Sequence, residues 1–145
     1  MRIYLDNCCF NRPYDDQSYM SISLEAQAKL HIQDLIRNGQ LEMAASYMLV
    51  YENGQNPYEM RRNAITEFIE KNTTVYVSDA RLEEISGQAH EIMKTGVRYK
   101  DACHVACAIM SDCEYFLTTD RRLLKYRTDK LKMMNPLDFI RELEV

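Results

Sequence analysis

Lys100-Asp101-Ala102-Cys103-His104-Val105-Ala106-Cys107-Ala108-Ile109-Met110, followed after a short break by Tyr115-Phe116-Leu117-Thr118-Thr119-Asp120, is the stretch whose reading decides the fold. In its first half Ala102, Val105, Ala106, Ile109 and Met110 fall at i, i+3, i+4, i+7 and i+8, the apolar stripe of a helix over about Lys100 to Ser111. Its second half is a short apolar run, Tyr115-Phe116-Leu117, that reads as a strand. Helix followed by short strand is the unit of a parallel sheet, because parallel strands need long crossovers and those are usually helices.

The same alternation continues in both directions. Towards the N-terminus lie a helix over about Arg81 to Lys94, a β-branched and aromatic strand Thr73–Val77, and a helix from the turn at Pro57 to about Lys71. Before them a helical stretch is capped by Ser46 and ended by Gly54, and a strand covers Leu41–Ala45. Ser21 to Asn38 carries Ile22, Ala26, Leu30, Leu35 and Ile36 at helical spacing and stops at Asn38-Gly39, and Arg2–Asp6 is a first strand. Towards the C-terminus the pattern predicts a short helix from Asp120 to about Tyr126, a strand Lys130–Met134, and a helix from Pro136 through Glu142. The expected architecture is a three-layer α/β/α sandwich with a mostly parallel, roughly five-stranded sheet. Ligands of such sheets bind beyond the carboxyl ends of the strands.

Composition sets the frame. The chain has 145 residues, read as a single domain over 1–145, with 46% hydrophobic and 28% charged residues, an ordinary globular mixture. Its formal net charge of −4 argues against a polybasic nucleic-acid or membrane-surface protein. No apolar run approaches the ~18 residues of a membrane span, and Met1-Arg2-Ile3-Tyr4-Leu5-Asp6 is too short for a signal-peptide core. Five cysteines without a repeated pair spacing read as reduced thiols, so a cytoplasmic location is expected.

The chemistry is sought in acids at strand ends. Asp6 closes the first strand and Asp120 follows the strand at Tyr115, while Asp101 opens a helix; each also has an ordinary reading as a turn former, a cap or a dipole partner. Glu52 ends the apolar run Met48-Leu49-Val50-Tyr51, so its carboxylate is expected to be partly buried and in need of a partner. If the four converge, each pair of carboxylates about 5 Å apart repels by roughly 3 kcal/mol at an effective dielectric near 20. Stability alone does not favour that. A hard divalent cation does, and an all-oxygen site with retained waters suits Mg²⁺ or Mn²⁺.

These residues resemble a PIN domain, the nuclease fold of the VapC-type toxins and their relatives. The likeness is carried by Ile3-Tyr4-Leu5-Asp6, by Ala45-Ser46-Tyr47-Met48-Leu49-Val50-Tyr51-Glu52, by Lys100-Asp101-Ala102-Cys103-His104-Val105-Ala106-Cys107-Ala108 and by Phe116-Leu117-Thr118-Thr119-Asp120. It implies that Asp6, Glu52, Asp101 and Asp120 form an acidic metal site, supported by Thr118 and Asn7. It further implies an endoribonuclease that cleaves RNA with Mg²⁺ or Mn²⁺, frequent homodimers and, where the member is a toxin, an antitoxin partner. The loop Asn7-Cys8-Cys9-Phe10-Asn11-Arg12-Pro13 departs from the commonest toxin loop and resembles a less studied PIN branch.

In a net acidic chain, phosphate contacts must come from local clusters. Arg121 and Arg122, with Lys125 and Arg127, adjoin Asp120, and Arg12 follows Asp6 at the same sheet edge; Arg61-Arg62 and Arg98 with Lys100 are the other clusters. The main competing reading is a catalytically quiescent PIN-like module that binds RNA or protein, and the four acids weigh against it. A first-strand Asp nucleophile would want a second acid two residues on, where Cys8 stands. Cys103 and Cys107 share a helix face, but no CxxC pair completes a four-ligand zinc site, and His104 reads as a packed or surface residue or as a support to Asp101 one turn away.

Overall fold

Five strands, β1 (Arg2–Leu5), β2 (Glu42–Ser46), β3 (Thr73–Val77), β4 (Tyr115–Leu117) and β5 (Lys132–Met134), pair in parallel in the order β3-β2-β1-β4-β5. The computed structural model describes residues 1–144. Helices α1 (Asn7–Asn11) and α2 (Met20–Arg37) link β1 to β2, and α3 (Tyr47–Gly54) and α4 (Glu59–Asn72) link β2 to β3. Helices α5 (Leu82–Met93) and α6 (Tyr99–Met110) then carry the chain back across β1 to β4, and α7 (Pro136–Leu143) follows β5. The strand order therefore reverses between β1 and β4, which is where an open parallel sheet leaves a crevice at its carboxyl edge.

Period-two alternation sorts the core into two layers. Ile3 and Leu5, Met43 and Ala45, and Tyr115 and Leu117 turn to one face and pack with Phe10, Ile32, Ile36, Ile65, Phe68 and Phe139. Tyr4, Ala44 and Phe116 turn to the other, against Ile85, Ala89 and Ile92 of α5 and Ala102, Val105 and Ala106 of α6. The expected α/β sandwich is thus the observed one, with every strand parallel. Helix α6 is buried from Ala102 through Ala108, wider than its predicted stripe, because it packs against α5 and α3 as well as the sheet and small side chains permit the close approach.

The differences lie where elements are short. Asp120 to Tyr126 forms no α-helix; Asp120 caps a turn and only Leu123–Lys125 is helical, as a 3-10 turn. Helix nucleation is too costly for so few residues with one buried anchor, Leu123. Strand β5 begins at Lys132, not Lys130. Helix α1 and the 3-10 turns Arg12–Tyr14 and Asp79–Arg81 carry no readable period, so no local pattern announces them.

One buried cation stands apart from the carboxylates. Lys29 of α2 is 4% exposed; its Nζ donates to Gln33 Oε1 and lies 5.1 Å from the centroid of the Phe10 ring. No carboxylate among the described residues forms an ion pair with it, and burial pulls its pKa down to about 8. Between that value and the ordinary lysine range the unfolded chain holds a proton that the folded chain has shed, so folding becomes more favourable as pH rises through the window. Lys29→Met is expected to stabilise the protein by about 1–3 kcal/mol at neutral pH, the gain vanishing above the ordinary lysine pKa. Urea unfolding of both proteins across that range checks this, and a pH-independent difference would refute it.

Candidate functional site

The site is built at the carboxyl ends of β1 and β4. The Asp6 N–H donates to Leu117 O at 2.9 Å, extending the β1–β4 ladder one residue beyond Leu5. Asp6 then caps α1, its Oδ1 accepting from Asn7 N at 2.8 Å. Its Oδ2 accepts from Thr118 Oγ1 at 2.9 Å and lies 3.5 Å from Cys8 Sγ. Thr118 is fully buried, and its Oγ1 also accepts from Asp120 N at 3.1 Å. One hydroxyl thus ties the two strand-end aspartates together. Asp120 Oδ1 is aimed by the backbone N–H groups of Arg122 at 2.9 Å and Leu123 at 3.4 Å.

Asp101 enters from the first turn of α6. Burial raises its pKa above the ordinary carboxylate value, and the charges of Asp6, Asp120 and Glu52 raise it further. All four expected acids therefore share one electrostatic neighbourhood, although four separate segments carry them. Among the described residues no Lys or Arg pairs with Asp6, Asp101 or Asp120. Nor do any three His, Cys, Asp or Glu side chains among the described residues form a compact ligand group.

Glu52, at the end of α3, has the partner that its burial demanded, and that partner is His104. Glu52 Oε1 lies 2.6 Å from His104 Nε2, His104 Nδ1 lies 2.6 Å from Tyr4 Oη, and Tyr4 Oη lies 2.7 Å from Ser46 Oγ. Ser46 Oγ accepts from Leu49 N at 3.2 Å as the cap of α3. A carboxylate only accepts, so His104 donates Nε2–H to Glu52. The chain of bonds begins and ends on α3. Burial pushes the Glu52 carboxyl up, but the hydrogen bond and charge of His104, the Lys100 charge and the Asn7 side chain more than offset it and hold Glu52 below its ordinary value. His104 is fully buried, and its only sequence signal was the one-turn spacing from Asp101.

The expected cations divide into two groups. Arg12 is not free for the phosphate contact expected of it: Nε and Nη2 donate to Glu25 Oε1 at 2.9 and 2.7 Å, and Nη1 to Asp15 Oδ2 at 3.1 Å. Asn135 donates to the other Glu25 oxygen, so this pair clamps α2 to its neighbours instead. Arg121 and Arg122 are exposed and line an open cleft of about 680 Å³, with Asp101 and Asp120 also on its walls. The five cysteines are unpaired thiols, Cys103 and Cys107 buried along α6.

No protein-family model and no curated protein sequence matches the chain. Solved structures do. A chain of VapBC2 from Rickettsia felis bound to a DNA fragment from their promoter aligns over 93% of this chain and 98% of its own, with a TM-score of 0.56 and 13% identity. FitAcB from Neisseria gonorrhoeae aligns over 92% and 97% with a TM-score of 0.57 and 16% identity. FitAB bound to the IR36 DNA fragment gives 93% and 95%, a TM-score of 0.58 and 16% identity. At these identities the likeness is one of fold, and that fold is the PIN-like one.

Two substitutions test this geometry. His104→Leu leaves Tyr4 and Glu52 buried without their shared partner and is expected to cost about 2–4 kcal/mol in denaturant unfolding, against about 1 kcal/mol for Tyr4→Phe. For Asp101 the folded, metal-free chain keeps its proton to higher pH than the unfolded chain, so stability falls as pH rises through and above the ordinary carboxylate range. In EDTA at neutral pH, Asp101→Asn is expected to melt about 2–4 °C above the wild type, and below the carboxylate range to match it. An unchanged or lowered melting point at neutral pH would show that the acids do not repel one another.

Proposed function

We propose that this chain is a metal-dependent endoribonuclease that hydrolyses RNA phosphodiester bonds. The observation that carries the reading is that Asp6 and Asp120, at the carboxyl ends of β1 and β4, are tied through the Thr118 hydroxyl, and that neither they nor Asp101 is neutralised by a Lys or Arg among the described residues. The donor set is hard and all-oxygen. Mg²⁺ is usually held by one or two carboxylates and several waters, so a carboxylate donor set of this kind suits Mg²⁺ or Mn²⁺.

Asp6, Asp101 and Asp120 would hold the ion, directly or through water. Bound there, the ion supplies Lewis-acid stabilisation of phosphate charge and lowers the pKa of water. Thr118 and the Asn7 backbone fix the Asp6 carboxylate so that it needs no reorganisation. Glu52, kept ionised by His104, orients the attacking water by accepting a hydrogen bond from it. Arg121 and Arg122 bring positive charge to the phosphates beside Asp120.

The solved neighbours are toxin–antitoxin complexes, which supports the further reading that this protein is the toxin of such a pair, working with an antitoxin; we further propose a homodimer in the cytoplasm. No helix among the described residues is long and apolar enough to cross a membrane. A metal-free PIN-like binding module is the second reading, favoured by the lack of a compact ligand group among the described residues.

Incubating the purified protein with a mixed RNA pool, with and without Mn²⁺, separates the two. Cleavage is expected only with the metal, and Asp6→Asn is expected to lose about 10²-fold or more in rate while remaining folded. Mg²⁺ or Mn²⁺ at ~100 times its Kd should stabilise the wild type by about 2.7 kcal/mol, an effect lost in Asp6→Asn/Asp101→Asn. Cleavage by Asp6→Asn at the wild-type rate, or no metal-induced shift, would overturn the nuclease reading.

A further inference from the structure

Lys29 has no part in the acidic site, and its burial is costly. A charge taken out of water needs an opposite charge or a full set of hydrogen-bond partners. Lys29 Nζ has Gln33 Oε1 and the face of the Phe10 ring, and among the described residues no carboxylate forms an ion pair with it. Burial, and after it the charge of Arg37, lowers its pKa to about 8, so at neutral pH the amine still carries its proton. A methionine would fill the same space without that cost. Packing therefore does not explain a lysine here.

The amine lines a cavity of about 260 Å³ between α1, α2 and α4. With Lys29 and Gln33, the apolar side chains of Phe10, Ile65 and Phe68 form its buried floor, while Leu30 and Ala64 are exposed and mark its opening. The Phe10 and Phe68 ring centroids lie 6.1 Å apart, with Lys29 over the first ring at 5.1 Å and Arg37 over the second at 5.1 Å. Two cations thus stand over one aromatic pair. Arg37 also meets Asp34 at 3.0 Å, but both side chains are more than half exposed and water screens that pair. Gln33 accepts from Lys29 through Oε1, so its amide N–H groups remain donors. The space is several times the roughly 30 Å³ of one water and below the roughly 300–1,000 Å³ of drug-sized sites, which suits a ligand of one ring or a short chain.

We propose that this pocket binds a small organic anion, its carboxylate on Lys29 and Gln33 and its apolar body against Phe10, Ile65 and Phe68. The ligand supplies the counter-ion that the protein withholds, and its ring or chain covers apolar surface that water solvates poorly. A bare anion would use the amine and leave the floor wet, and a neutral ring would cover the floor and leave the amine unpaired. Only a molecule with both parts satisfies the pocket. None of these residues belongs to the acids at the β1–β4 crevice, so occupancy of the pocket does not depend on whether the chain cuts RNA.

The probe is benzoate, titrated by calorimetry into the full chain at neutral pH and constant ionic strength. Benzoate is expected to bind at one saturable site, about tenfold or more tighter than benzamide, which keeps the ring and loses the charge. It is expected to exceed acetate, which keeps the charge and loses the ring, by about the same factor. Lys29→Met, whose apolar side chain suits the burial, should weaken benzoate about tenfold or more, to the level of benzamide. Ala64→Trp narrows the opening without touching the amine and should weaken benzoate and benzamide alike. The absence of benzoate binding, equal affinity for benzoate and acetate, or wild-type benzoate affinity in either variant would overturn the proposal.

Discussion

Carboxylates brought together without a cation push apart, and everything at the β1–β4 crevice depends on how the protein resists that repulsion. At the aspartates it does so with neutral donors. Thr118 and three backbone N–H groups hold Asp6 and Asp120, while His104 holds Glu52. Neutral donors orient a carboxylate and stabilise its charge but do not cancel it, so the negative field remains available to a ligand. A lysine or arginine in the same place would have given a more stable fold and a closed site. Asp101, whose neighbours push its pKa upward, shows that the field persists.

The two faces of the sheet contribute differently. On one, Arg12, Glu25 and Asn135 form a clamp that joins the residues after α1 to α2 and to the start of α7, and Lys29 sits buried beside Phe10. On the other, Tyr4 in the centre of β1 reaches His104 on α6 and Ser46 at the end of β2. A single core tyrosine therefore couples the position of α6, which carries Asp101, to that of α3, which carries Glu52. Movement of either helix would break a buried hydrogen bond, so the separation of these two acids is set by the core and not by their own contacts.

Much of this was legible along the chain. The stripe of α6, the cap at Ser46, the stop at Asn38-Gly39 and the β-branched run at Thr73 are each short-range signals, and each element they mark is present. The segment after Asp120 misled for the same reason: its cap signal is real, yet only Leu123 finds a place in the core, and a cap without a buried face makes a turn. Helix α1 is too short for any period to show.

The sequence by itself determined the alternation of strand and helix, the parallel sheet and the acid that ends or opens each key segment, because caps, periodicity and composition act over one or two turns. Tertiary structure alone decided which of those residues meet. Glu52 and His104 are 52 positions apart, and Tyr4 and His104 are 100 apart. The packing of α6 against β2 and α3 brings them together, the reversal of strand order between β1 and β4 joins Arg98 to Arg121 across one cleft, and the packing of α2 against the turn at Arg12–Tyr14 gives Arg12 to Glu25. Pairings at that range follow from where whole elements pack, and no local pattern in the chain encodes them.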